Sequence, residues 1–185
     1  MRKITLKSKE EKNKKTKQFI VAGVLVFIML LSILGYSFQD SGKETSQVVT
    51  YNGIKFVKQG NLWVSEGNFA FKYNPNEIEA IKGELNPVEN YLGKPLYIYS
   101  ENKEAEAEIA INLREYTQRI QEACPEGKNC EGNLPGKTCE DNFVIIEQGD
   151  KNAIAQENNC VFIKGSDLVK LSDEFLFKIL KIREQ

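Results

Sequence analysis

Residues 19–38 read FIVAGVLVFIMLLSILGYSF, twenty consecutive positions without a charge. Wound as an α-helix at about 1.5 Å per residue, such a run spans roughly 30 Å, the thickness of a bilayer's hydrocarbon core. A helix of this length packed in a soluble domain would carry a polar stripe, and this one has none. The run therefore predicts a transmembrane helix. Tyr36 and Phe38 stand at its far end, where aromatic rings favour the membrane interface.

The flanks predict an orientation. Residues 1–18 hold eight Lys and Arg against two Glu, a net +6, and the positive-inside rule keeps such a segment in the cytoplasm. The whole chain has a formal charge of −1, so everything after residue 18 carries −7. A cleaved secretory signal is the competing reading, since Gly35 and Ser37 put small residues at −3 and −1 of a cut after Ser37. The apolar run exceeds the usual 7–15 residues of a signal core, which favours an uncleaved anchor. Either way the C-terminal part lies outside the cytoplasm. The expected organisation is a cytoplasmic basic segment 1–18, a transmembrane helix 19–38, a polar linker 39–47 and an extracytoplasmic domain 48–185. The bilayer, through residues 19–38, is the first expected partner.

Composition excludes several activities. The chain has no histidine, hence no Ser-His-Asp triad, no Cys-His dyad and no His-ligated zinc. An acidic main domain argues against nucleic acid as its partner, because phosphate backbones select clustered Lys and Arg. No P-loop, Gly-x-Gly-x-x-Gly, Gly-x-Ser-x-Gly or EF-hand pattern occurs. No cofactor, metal site or catalytic residue is assigned on these grounds.

Four cysteines, Cys124, Cys130, Cys139 and Cys160, all follow the apolar run. An even number on the oxidising side of a membrane predicts two disulfides. Their spacings lack the close C-x₂₋₄-C pairs of a four-Cys zinc site and the C-x-x-C of a thiol oxidoreductase. Three connectivities are open. We expect Cys124–Cys130, clipping the loop CPEGKNC, and Cys139–Cys160, tying the entry of one strand to a later one.

The domain reads as α+β. VVTY, Asn52-Gly53 and IKFVK form a strong hairpin signal, because a type I′ turn needs positive φ at both central residues. LWVSE and FAFKY extend it into a meander. Asn76 is expected to cap a short helix over 76–82. Leu96–Tyr99 reads as a strand with Leu96 and Ile98 on one face and Tyr97 and Tyr99 on the other. A long helix is expected over about 102–123, its apolar positions running from Ala105 through Ile109, Leu113, Tyr116 and Ile120 to Ala123. FVIIE (143–147), NAIAQ (152–156) and CVFIK (160–164) follow as three strands, then a helix over about 166–182 capped by Ser166. The order predicts a mixed or antiparallel sheet with two main helices packed on one face.

Candidate side chains are few. Glu104 and Glu108 stand one helical turn apart, where two carboxylates share a face, although a solvated face explains them as well. Tyr97 and Tyr99 line a ligand face or cover the second side of the sheet. Trp63, the single tryptophan, reads as core. Asp173 falls within the apolar face of the last helix, where a carboxyl needs a partner and acts as structural glue.

As a set, ILGYSF, YNGIKF, Trp63, INL (111–113), the Cys-rich loop, NCVFIKG and DLVKLSDEFLFKIL resemble an uncharacterised group of single-pass, membrane-anchored, Cys-containing ectodomain proteins of small-genome archaea. The resemblance implies the anchor and the extracytoplasmic, Cys-stapled domain, and it brings no activity and no functional residue. The expected function is a non-enzymatic binding or assembly module at the cell surface with a protein partner. The alternative is an extracytoplasmic enzyme that works with carboxylates.

Overall fold

The computed structural model describes residues 20–29, 31–32 and 47–184. The chain divides into two compact units, Met1–Thr45 and Ser46–Gln185. In the first, residues 20–29 and 31–32 are helical, and their large apolar side chains are exposed, from Leu31 at 51% to Met29 at 68%. No helix among the described residues is long and apolar enough to cross a membrane. The expected span 19–38 includes residues 19, 30 and 33–38, which lie outside the described residues, as do the basic segment 1–18 and residues 39–46 of the linker.

The second unit holds two larger sheets and a small one. Strands β1 (Val48–Tyr51), β2 (Ile54–Gln59), β3 (Leu62–Ser65) and β4 (Ala70–Phe71) form an antiparallel meander in chain order. Asn52 and Gly53 both take positive φ, 48° and 80°, as the first hairpin requires. Next come β5 (Pro95–Ser100), helix α1 (Lys103–Leu113) and β6 (Arg119–Glu122). The two-residue strands β7 (Cys124–Pro125) and β8 (Gly136–Lys137) pair with each other. The chain continues through β9 (Phe143–Gln148), β10 (Ala153–Glu157) and β11 (Cys160–Gly165) into helix α2 (Leu168–Ile179). The five-stranded sheet has the order β10-β11-β9-β5-β6 and is parallel except for the β10–β11 pair.

Alternation sorts this sheet's side chains. Leu96, Ile98, Val144, Ile146, Val161 and Ile163 join the main core, while Tyr97, Phe143, Ile145 and Cys160 form a second core on the other face. Residues 143–146, FVII, are apolar without a break because both faces of the strand are covered. Both helices pack on the first face, and Phe56, Trp63 and Phe71 of the meander complete that core from the far side of the helices. Phe71 and Phe177 meet with ring centroids 4.7 Å apart. Trp63 is core, 4% exposed. The domain is thus mixed α+β, with an antiparallel sheet and a mixed one.

The long helix over 102–123 is corrected. Only Lys103–Leu113 is helical, capped by Asn102, whose side chain accepts from the amides of Glu104 and Ala105. The Thr117 hydroxyl donates to the Leu113 carbonyl, the chain turns, and Arg119–Glu122 pairs with β5 as a parallel strand. The i, i+3, i+4 spacing of Tyr116, Ile120 and Ala123 fits a helix, yet Ile120 pairs beside Leu96 on the edge of the sheet, and tertiary pairing overrides the weak local period. Two caps also shift. The last helix begins after Asp167, whose carboxylate accepts from the Lys170 amide, rather than after Ser166. The expected helix 76–82 is one 3₁₀ turn, Pro75–Glu77, closed by a capping box between Asn74 and Glu77.

Disulfides join Cys124 to Cys130 and Cys139 to Cys160. The second fastens the loop before β9 to the first residue of β11, over the second core. By the loop-closure argument, Cys139→Ala with Cys160→Ala is expected to lower stability by about 3 kcal/mol, and removing Cys124–Cys130 by about 2. Urea midpoints of the two double variants check this; equal midpoints with wild type would reject a stapling role.

Side chains complete two sheet edges. Asn112 of α1 accepts from the Ala70 amide at 2.9 Å and donates to its carbonyl at 2.7 Å, acting as a neighbouring strand for β4. Asn112→Ala is expected to cost about 2 kcal/mol through the unpaired Ala70 groups, read as a shift in the unfolding midpoint. The edge of β10 is met by residues 74–87, an irregular strap in which the Asn86 amide donates to Gln156 at 2.7 Å. Gly83 allows the close approach: a Cβ there would lie 2.6 Å from the Ile154 carbonyl oxygen.

Candidate functional site

Helix α2 lies between two layers, so every residue from Leu168 to Ile179 except Lys170 is buried, including Asp173, Glu174 and Lys178. Buried charges persist only when satisfied. Here the strap supplies the partners, because its irregular backbone has no ladder of its own. The Ile81 amide donates to Glu174 at 3.2 Å, and Lys178 donates to the Gly83 carbonyl at 2.7 Å. Arg183 pairs with Glu174 at 2.6 Å and donates to the carbonyls of Pro75 and Ile78. Burial pushes the Glu174 carboxyl up despite the guanidinium, and pushes the Lys178 ammonium down. These groups are spoken for by architecture.

Asp173 is different. One carboxyl oxygen accepts from the Tyr73 amide at 2.8 Å, while Oδ1 meets no donor among the ordinary hydrogen bonds. The group beside it is the carboxyl of Glu108, and two carboxyls can bond only when one carries a proton. Burial first, and then the neighbouring Glu108 charge, push Asp173 up to about 9; burial likewise raises Glu108. The pair therefore holds a proton at neutral pH. Glu104 does not join it: its side chain is 55% exposed and bonds Lys72 at 2.8 Å. The two glutamates of EAEAE thus point to different surroundings, while Glu108 and Asp173, distant in the chain, come together. Asp173 has no exposed surface, so its own carboxyl is closed to a substrate, while Glu108 is 7% exposed.

Tyr97 and Tyr99 cover the second face of the five-stranded sheet, under cations. Arg119 donates to the Tyr97 hydroxyl at 2.9 Å, Lys137 sits 4.1 Å over its ring, and Lys128 sits 4.3 Å over that of Tyr99. Hydrogen bonding to Arg119, and then to Lys137, holds the Tyr97 phenol below its usual range. Most of these cations have carboxylate partners nearby: Lys128 bonds Glu147 at 2.6 Å and Lys137 bonds Asp141 at 3.1 Å. This face is a mutually neutralised lattice around aromatic rings. Among the described residues, no group of three or more Asp, Glu or Cys is placed to hold a metal ion.

The remaining feature is an open edge. Strand β6 pairs with β5 on one side, and no strand or side chain among the described residues bonds the backbone of its outer side. Beside it runs a groove of about 450 Å³ between α1 and β6. Ile111, 62% exposed, and Ile120 supply apolar wall and Arg114 supplies charge; Arg119 borders it through its strand position but turns its guanidinium to Tyr97 on the sheet's other face, and no carboxylate lines it. Sequence reasoning missed this site because it wound Arg119 and Ile120 into the helix. The β-branched Thr117 and Ile120, spaced through TQRIQ, were the available signal.

No family model, no curated protein and no solved structure matches this chain.

Proposed function

We propose that the protein is a single-pass membrane protein that displays its α+β domain outside the cytoplasm as a non-enzymatic binding or assembly module. The anchor reading rests on the uncharged run 19–38 and on the exposed apolar side chains of residues 20–29, which need an apolar solvent on every side. The +6 segment before it and the two disulfides after it agree on sidedness. The resemblance to archaeal membrane-anchored ectodomains points the same way.

One observation carries the binding role: the groove that adjoins the unpaired edge of β6, an edge left open like that of β1, whereas Asn112 bonds the β4 edge and the strap runs along β10. An uncovered sheet edge is a ready template for another chain. Photo-crosslinking in intact cells tests it. A photoreactive residue in place of Gln121, on β6, is expected to give discrete protein adducts that one in place of exposed Asp150 does not. Equal labelling from both positions would refute the role. Sidedness is read separately: protease added to whole cells is expected to digest the domain, and protection until lysis would reverse the orientation.

A further inference from the structure

We propose that the groove beside β6 takes an extended acidic segment of a partner protein, which adds as a sixth strand to the five-stranded sheet. This rests on the binding role above and names the partner's chemistry. Three features select it. The outer edge of β6 presents backbone N–H and C=O groups that only another extended chain can pair in series. Ile111 and Ile120 offer apolar contact to alternate side chains of such a strand. Arg114 in the groove and Arg119 on the Tyr97 face of the same edge put a cation on either side of an added strand, in a part of the chain that totals −7 after residue 18.

Lys103 offsets part of the nearby carboxylate charge, and exposed Glu115 follows Arg114 in the chain. Glu122, at the far end of β6, and Glu106 of α1 both pair with Lys103, at 2.8 and 3.0 Å. The charge also argues against a second copy of this chain, since a two-fold pairing of β6 edges would bring two Arg-lined grooves together. Arg119 is braced by the Tyr97 hydroxyl, which leaves Arg114, exposed at the last turn of α1, as the more mobile clamp.

The test uses the full chain in detergent micelles and fluorescent decapeptides. An alternating Glu-Val peptide is expected to bind at least tenfold tighter than an alternating Lys-Val peptide, and to weaken as salt rises. N-methylating every second amide of the Glu-Val peptide, in each of the two registers, removes the edge bonds while leaving its charge. One register is expected to lose tenfold or more and the other to lose little. Arg114→Glu is expected to abolish the charge preference, since Arg119 remains, while leaving the unfolding midpoint in place. Equal binding of both peptides, indifference to N-methylation in both registers, or tighter binding of a single-stranded oligonucleotide of matched charge would each overturn the inference. Adducts at position 121 without any peptide preference would overturn the acidic-strand assignment alone; absence of both would remove the binding role with it.

Discussion

Replacing Arg183 by alanine is expected to destabilise the domain by about 3–5 kcal/mol, the usual consequence of stranding one half of a buried ion pair. The guanidinium serves three oxygens at once: Glu174, and the carbonyls of Pro75 and Ile78 in the strap. It also lies 5.4 Å over Tyr51 of β1 and 5.9 Å over Phe177 of α2, so one side chain near the C-terminus braces meander, helix and strap. Its loss leaves Glu174, with no exposed surface, the Ile81 amide but no bonded cation. Arg183→Lys is expected to recover only part of the loss, because an ammonium cannot reproduce the planar fork. Denaturant unfolding of the variants measures this, with a midpoint for Arg183→Ala equal to that of wild type as the outcome that would dismiss the brace. Hydrogen exchange in residues 74–87 reads the same event locally: the strap amides are expected to lose protection before the sheets do.

The second large effect is on pH dependence. Asp173 has a folded-state value of about 9, well above the ordinary range of an unfolded aspartate. The native pair with Glu108 therefore keeps a proton that the unfolded chain releases above about pH 4. The sign follows: this contribution is fully favourable below that pH and is lost as pH rises toward 9, with a slope of up to about 1.4 kcal/mol per pH unit for one proton. Burial raises Glu174 as well, which acts in the same direction. The domain is thus expected to be more stable at pH 5 than at pH 8. Asp173→Asn keeps an acceptor for the Tyr73 amide and offers Glu108 a permanent donor. It is expected to flatten that slope and to stabilise the domain at pH 8 by on the order of 1–3 kcal/mol. Parallel stability–pH curves for variant and wild type would show that Asp173 does not titrate in this range.

Much of the fold is written in local pattern. Asn52-Gly53 specifies a hairpin because few other dipeptides accept two positive φ values. The continuous apolar run FVII marks a strand covered on both faces, and the tyrosine alternation of β5 separates the two cores. Cysteine number and position led to two disulfides, and the pairing of near neighbours in the chain is the one the structure holds. Trp63 reads as core and is core.

The candidate sites were less legible. EAEAE suggested a joint role for Glu104 and Glu108, but a helix only places them one above the other; which one turns inward depends on what α1 packs against. Asp173 was recognisable as a carboxyl in need of a partner, and the partner was Glu108, 65 positions away, which no periodicity discloses. The groove was invisible because its floor was read as helix.

What the sequence determined alone is whatever a few adjacent residues decide: the uncharged run and its basic flank, the hairpin turn, the strand faces, the oxidised cysteines. Only the tertiary structure decided where α1 ends, since an edge of β5 claims Arg119–Glu122. It also decided that α2 is enclosed almost throughout, which makes Glu174 and Lys178 ties for the strap and Asp173 the partner of Glu108. The physical reason is the same in both cases. Backbone pairing and desolvation act between segments distant in the chain, and their energies exceed the few tenths of a kcal/mol by which local propensities differ.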